Sequence, residues 1–262
     1  GHRVDLVTRA PADDPRPHVR IDGVDEWRFS VDRGNDLSFL LSSLHRSVET
    51  FDRVMERRPS DVVLIHQSTA GLGPMLMRRG VPRTWAYLCH SLAHEEYATR
   101  ACEAGSGLDG LRRSANIQGR YWAEHFVISH CSRVVVLSEL MRDRVTRFHR
   151  VPNRRIWQIP GAADTERFQP TSDRGRVRRE LGLPLDRTVL LSVRNLVPRM
   201  GLDQLLQAMA MLGEDAHEIT LVIGGEGPLR PVLTNQIQRR GLTDRVRLIG
   251  HIPEEQLSRY YQ

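Results

Sequence analysis

The sequence contains no lysine, so all 38 residues counted as Lys plus Arg are arginine. Uniform arginine usage is most simply a coding bias and assigns no function. Cysteine is scarce: Cys89, Cys102 and Cys131 form an odd set without C-x-x-C spacing. That excludes a disulfide-stapled scaffold and a cysteine-ligated zinc module, and it reads as reduced thiols in a cytoplasmic protein. Cys89 and Cys131 fall in or beside strand-like runs, where a small buried hydrophobe is common. No apolar run approaches the roughly 18 residues that span a bilayer, and no signal peptide is visible. Aromatic residues make up 6% of the chain, and few of them accompany the arginines. With no helix-turn-helix, OB-type or RRM signature, nucleic acid is not an expected partner. A G-x-G-x-x-G followed by an acidic residue about 20 positions on is also missing, which argues against a dinucleotide-dependent dehydrogenase.

What is present is a soluble globular composition of 262 residues with a net charge of +6. That length suits one large domain or two ordinary ones. Arginines cluster at Arg142, Arg144, Arg147, Arg150, Arg154 and Arg155, and again at Arg174, Arg176, Arg178 and Arg179. Such clusters can meet phosphate or an anionic surface. The second has acidic neighbours and helical spacing, and reads better as a solvated helix face.

Short apolar runs alternate with longer amphipathic ones along the whole chain. Strands are expected at Arg3 to Thr8, Asp61 to Gln67 (buried), Thr84 to His90, Ser132 to Ser138 and Arg155 to Pro160. Helices are expected at Asp36 to Arg57, from "AGLGPMLMRR", near Ala93 to Glu103, at Leu108 to His130, and after an N-capping Ser138. "GAADTERFQPTSDRG" (161–175) breaks the pattern and reads as a linker. Beyond it the pattern restarts with "TVLLSV", "EITLVIGG" and "RVRLIG" as strands, each followed by a helix. Continuous Val/Ile/Leu strands alternating with helices imply parallel sheets covered on both faces. Ligands in such sheets sit beyond the carboxyl ends of the strands.

Three stretches carry chemistry. In "VIGGEGPLR" a strand ends at Gly224, Gly225 and Gly227 permit a tight turn, and Pro228 is expected in the first turn of a helix. The turn's N–H groups suit a phosphate or ribose, and Glu226 suits a sugar hydroxyl. In "LSVRNLVPRMGL" Gly201 opens a helix whose N-terminus attracts anions, with Arg194 and Arg199 beside it. In "YLCHSLAHEEYATR" His90 ends a strand, where an imidazole can hold a sugar hydroxyl or a developing charge. His90, His94 and a nearby carboxylate have zinc-like spacing, but no third ligand is evident and no metal is expected.

Occurring together and in this order, these pieces resemble the retaining glycosyltransferases of the GT-B fold, the family-4 type. "YLCHSLAHEEY" is similar to that family's strand-end histidine, small residue and acidic helix. "SRVVVLSELMRDRV" is similar to its strand, serine cap and helix. "IPGAADTERFQP" is similar to its Pro-x-Gly-x-Asp-x-x-x-Phe linker, with Ala162 where glycine is usual. "GGEGPLRPVL" and "RVRLIGHIPEEQLSRYY" are similar to its nucleotide-side turn and the strand and helix that follow. The resemblance covers nearly the whole chain. It implies an α/β fold of two Rossmann-like doubly wound domains facing a cleft, the second incomplete. The acceptor-side domain is expected over 1–160, the linker over 161–175 and a partial nucleotide-sugar-binding domain over 176–262.

The same resemblance implies transfer of a sugar from a nucleotide-sugar to an acceptor hydroxyl with retention of configuration. The alternative is a non-catalytic binding protein or inactive fragment of the same fold. No cofactor or metal is implied, the nucleotide-sugar being a substrate. The acceptor could be a small molecule, a glycan or a lipid-linked group. The implied location is cytoplasmic. A weak contact with the inner membrane surface through the basic helix 139–148 is a variant, and an ordinary solvated helix is the simpler reading. By this analogy His90 lies near the transferred sugar as the catalytic residue. Arg194, Arg199 and the Gly201 helix face the diphosphate. Gly225, Glu226, Gly227 and Pro228 sit nearby, and the backbone at His251 and Ile252 meets the base. Asn195 stands where the family usually has arginine, so Arg194 takes that role, and Met200 stands where lysine is usual. Ser91, Glu95 and Glu96 fall on the acceptor side. The family's Gly-rich loop would precede Gly1 and its paired-glutamate motif would follow Gln262, so a segment of a longer reading frame is expected.

Overall fold

A computed structural model describes residues 2–32, 34–77, 84–100, 108–213 and 217–262. Cys102, the end of the helix expected to reach Glu103, and the last two residues of "AGLGPMLMRR" lie outside the described residues. The chain forms two compact units, Gly1–Gly161 and Ala162–Gln262.

The first unit holds two sheets. Strands β1 (Asp5–Arg9), β2 (His18–Ile21) and β3 (Val24–Phe29) form a three-stranded sheet in the order β1-β3-β2. β1 and β3 run parallel, whereas β2 and β3 form an antiparallel hairpin. The hairpin turns on Asp22 and Gly23, both left-handed at φ 49° and 83°. This geometry matches the right-handed twist of paired strands and favours Asp-Gly. It is a departure from the all-parallel expectation. Helix α1 (Asp36–Arg57) packs on β1 and β3 and against α2 (Ser68–Met77).

The second sheet of this unit is parallel throughout, in the order β4 (Val62–Ile65), β5 (Thr84–Cys89), β6 (Arg133–Val136) and β7 (Ile156–Gln158). β4 is an edge strand, so Val62 and Leu64 are 57% and 47% exposed and only Ile65 is buried. The buried strand expected over 61–67 is therefore half-buried. Helices α3 (Ala93–Arg100), α4 (Leu108–His130) and α5 (Glu139–His149) complete the unit. Its core gathers Ile65, Tyr87, Leu92, Val127, Ile128, Val134, Val136, Val145 and Ile156 around Cys89 and Cys131. Both thiols are free and buried. Burial, with Glu124 and Glu95 adding to it at Cys89, pushes each up to about 12. They stay protonated and act as small hydrophobes. Arg155, just before β7, donates Nη2 to the Ile128 carbonyl (2.7 Å) and to that of Cys131, closing the end of α4.

In the second unit α6 (Arg174–Glu180) begins inside the stretch expected as linker, because the Asp173 carboxylate caps it by accepting from the Arg176 N–H at 2.8 Å. Two of its arginines are engaged within the unit: Arg176 pairs with Glu180 at 2.9 Å, and Arg178 donates to the Pro184 and Arg187 carbonyls. No residue of α6 is buried, which is the solvated helix face expected there. Strands β8 (Thr188–Val193), β9 (Ile219–Gly224) and β10 (Val246–Gly250) form a parallel sheet in the order β10-β9-β8. β9 is central and apolar on both faces, so Thr220 to Gly224 are all buried. Helices α7 (Leu202–Met211), α8 (Arg230–Arg239) and α9 (Glu254–Tyr261) follow β8, β9 and β10 in turn. Leu206, Met209, Leu221, Ile223 and Leu233 are the centre of the core, each contributing about 1.5–3 kcal/mol by taking its apolar surface out of water.

Candidate functional site

Every donor-side residue expected from the sequence lies in one of three loops at the carboxyl ends of β8, β9 and β10. Parallel pairing puts these loops side by side, and main-chain bonds join them. The Arg194 N–H donates to the Gly224 carbonyl at 2.9 Å, Leu196 to Glu226 at 2.9 Å, Leu229 to Leu196 at 3.0 Å and Gly225 to Gly250 at 2.6 Å. The glycines are required by this joining. A Cβ on Gly225, whose φ is 137°, would stand 2.0 Å from the Arg194 carbonyl oxygen, and one on Gly227 would stand 2.5 Å from that of Leu196. Close approach of the neighbouring loop is thus a complete reason for the Gly-Glu-Gly pattern.

Gly201, left-handed at φ 64°, caps α7 with no side-chain acceptor. The first-turn N–H groups of α7 are consequently available to an outside oxygen, with a favourable dipole. Arg194, Asn195 and Arg199 are exposed around it. Glu226 is exposed, and its Oε1 accepts from Arg230 Nη1 at 3.2 Å. Pro228 stands ahead of α8, which begins at Arg230; the proline within the first turn is Pro231. The expected place of Pro228 is corrected accordingly: the left-over loop length is used in bonding Leu229 to Leu196. His251 is exposed and Ile252 is buried against Gly224.

On the other unit His90 follows β5 and is exposed. Its Nε2 lies 3.0 Å from Nδ1 of His66, at the end of the neighbouring strand β4, with the two rings stacked at 5.3 Å. One nitrogen donates and the other accepts. Burial, then the facing His90, lowers His66 below the ordinary 6.5, so it is neutral at pH 7. The Ser91 hydroxyl donates to Glu96 at 2.8 Å, and Glu95 accepts from Arg144 at 2.8 Å. His94 does not join His90. It turns inward to Glu124 of α4 and His149 of α5. The sequence reading missed His66, Glu124 and His149, which lie 24, 30 and 55 positions from the histidines they meet. For His66 a signal existed, a histidine ending a strand next to the one that carries His90. For Glu124 and His149, mid-helix and helix-end positions gave none.

Glu124 also holds the loop after β5. Its carboxylate accepts the Tyr87 hydroxyl at 2.9 Å and the Ala93 N–H at 3.1 and 3.2 Å. Tyr87 is pushed well above its ordinary value by burial and by this carboxylate, so it remains a donor. The segment from Ser91 to Ala93 is therefore fixed at both ends.

Comparison with known proteins decides the family. The profile described as "Glycosyl transferase 4-like domain" matches residues 1–162, and that described as "Glycosyl transferases group 1" matches 173–262. The chain belongs to the glycosyl transferase 4-like family. It is 25% identical over its whole length to mannosylfructose-phosphate synthase of Agrobacterium fabrum, spanning 60% of that protein. It is 30% identical over 137 residues to alpha-D-kanosaminyltransferase of Streptomyces kanamyceticus, covering 51% of this chain and 35% of that one. The chain thus spans about three fifths or less of these relatives' lengths. Among solved structures, sucrose-phosphate synthase from Thermosynechococcus elongatus superposes with a TM-score of 0.78 at 21% identity, covering 99% of this chain and 63% of that one. An Anabaena protein in complex with UDP-glucose superposes with a TM-score of 0.57 at 17% identity, over 90% and 57%. The fold is accordingly that of the GT-B glycosyltransferases, with Rossmann-like units. Among the described residues no helix is long and apolar enough to cross a membrane.

Proposed function

We propose that the protein transfers a sugar from a nucleotide-sugar to an acceptor hydroxyl with retention of configuration. The donor would lie on the β8, β9 and β10 loops and the acceptor on the Gly1–Gly161 unit. The observation that carries this reading is the joined triple loop, in which an uncapped helix terminus stands among exposed arginines. It fits a diphosphate better than a neutral ligand. The structural similarity to a protein complexed with UDP-glucose supports the donor class.

In this reading the bond from the anomeric carbon to the diphosphate oxygen breaks. The acceptor oxygen bonds that carbon on the same face, and its proton passes to the leaving diphosphate. Arg194, Arg199 and the α7 terminus stabilise the charge that grows on the diphosphate. Asn195 fills the neighbouring position, the backbone at His251 and Ile252 meets the base, and His90, oriented by His66, holds a sugar hydroxyl. Neither this chemistry nor these residues call for a metal. The free, buried thiols suit a reducing compartment. Helix α5 buries Val145 and His149 and ties Arg144 to Glu95, so we read it as a packed helix with a solvated outer face and not as a membrane anchor.

Calorimetry with UDP- and GDP-sugars tests the reading. The folded chain should bind at least one of them, and Arg194→Ala and Arg199→Ala should each weaken binding about tenfold or more, as loss of a charge-assisted contact does. If a full-length folded protein binds no nucleotide-sugar, or if both variants bind unchanged, the donor site is not here.

A further inference from the structure

We propose that His94, Glu124 and His149 form a structural zinc site inside the Gly1–Gly161 unit. The inference is independent of the transfer reading. The residues come from the first turn of α3, the middle of α4 and the last turn of α5, so a shared ion would tie three helices together. The side chains of Glu124 and His149 are 0% exposed and that of His94 is 11% exposed.

The distances are those of co-ligands. Glu124 Oε2 lies 3.5 Å from His94 Nδ1 and 3.3 Å from His149 Nε2, and all three ligand atoms fall within 4.8 Å of one another. Ligands held about 2.0–2.1 Å from a tetrahedral zinc stand roughly 3.4 Å apart.

The hydrogen-bond inventory points the same way. Both ring nitrogens of His149 and Nδ1 of His94 are buried without a hydrogen-bond partner. Buried imidazoles ordinarily satisfy at least one nitrogen. If a proton were shared with Glu124, an N–H from one ring would be directed at Oε2, and neither ring makes that bond. A cation between the three residues would take one lone pair from each, at His94 Nδ1, His149 Nε2 and Glu124 Oε2, and leave Nδ1 of His149 to carry that ring's proton. The carboxylate is already oriented by Tyr87 and by the Ala93 N–H, and the Tyr121 ring stacks on His149 at 5.2 Å. Such supports are what fix ligand geometry around a metal. Two imidazoles and one carboxylate suit zinc over magnesium or calcium, which prefer all-oxygen sites. With one carboxylate and two neutral rings, a dication leaves a net single positive charge, and a fourth position remains for water.

The test uses the whole chain purified without a polyhistidine tag. After chelator treatment, exposure to Zn2+ and gel filtration, elemental analysis should find one zinc per chain. Cobalt in its place should give the visible d–d absorption of a four-coordinate site. Zinc K-edge spectra should show nitrogen and oxygen neighbours with imidazole scattering. His149→Ala and His94→Ala, checked for folding by circular dichroism, should each lower retained zinc from one equivalent to near none. Should either variant fail to fold, the wild-type K-edge spectrum decides alone. The proposal is overturned by folded wild-type protein that retains neither metal, by sulfur in the zinc shell, by a zinc shell without imidazole, or by undiminished retention in a folded variant.

Discussion

Gly225 is the residue with least room in the loops that follow β8, β9 and β10. Its backbone is left-handed and its missing Cβ faces the Arg194 carbonyl at 2.0 Å. Gly225→Ala should cost about 3 kcal/mol, combining backbone strain with a displaced loop. Denaturant unfolding measures the loss, and a change within about 0.5 kcal/mol would show that the loop yields freely. The sequence pointed to this glycine for a different reason, a tight turn between strand and helix, and could not display the neighbouring loop that occupies the space. His90 was similarly legible as a strand-end histidine. Its stacking on His66 was not, because 24 residues separate them and only strand pairing brings them together. Glu124 is the extreme case: a mid-helix glutamate is ordinarily a surface residue, and here it is buried, accepting from donors of β5 and α3 and facing His149 of α5.

At the scale of elements, local chemistry was a good guide wherever it was complete. Ser138 is the N-cap of α5, accepting from the Met141 N–H at 3.3 Å. Ser138→Ala should lower stability by about 1 kcal/mol, and Ser138→Asp should restore most of it. Equal stability of all three proteins in urea would remove Ser138 from the capping role. The Asp22–Gly23 hairpin had an equally local signal, the Asp-Gly pair, but its flanking strands are short and charged and lack a clear alternation. The α8 boundary shows the limit of single-residue cues: with prolines at 228 and 231, the helix begins between them because Leu229 is bonded to Leu196.

At the scale of the whole molecule, the two units give a prediction of locality. UDP or GDP added to the chain should slow amide exchange in the loops at 194–204, 224–230 and 248–253 and leave 2–161 unchanged, since binding stabilises only the state it contacts. Exchange followed by mass spectrometry resolves these peptides. Protection confined to 2–161, or spread evenly, would move the nucleotide site away from β8, β9 and β10.

The sequence by itself determined the alternation of strands and helices, the parallel pairing of the apolar runs, the break near residue 161 and the residues at strand ends. All of these depend on periodicity, caps and turns within about a dozen positions. Tertiary structure alone decided which strand ends are neighbours, that β4 is an edge, that the glycines serve loop packing, and that His94 parts from His90 to meet Glu124 and His149. Those outcomes depend on pairing between residues far apart in the chain, which local patterns do not encode.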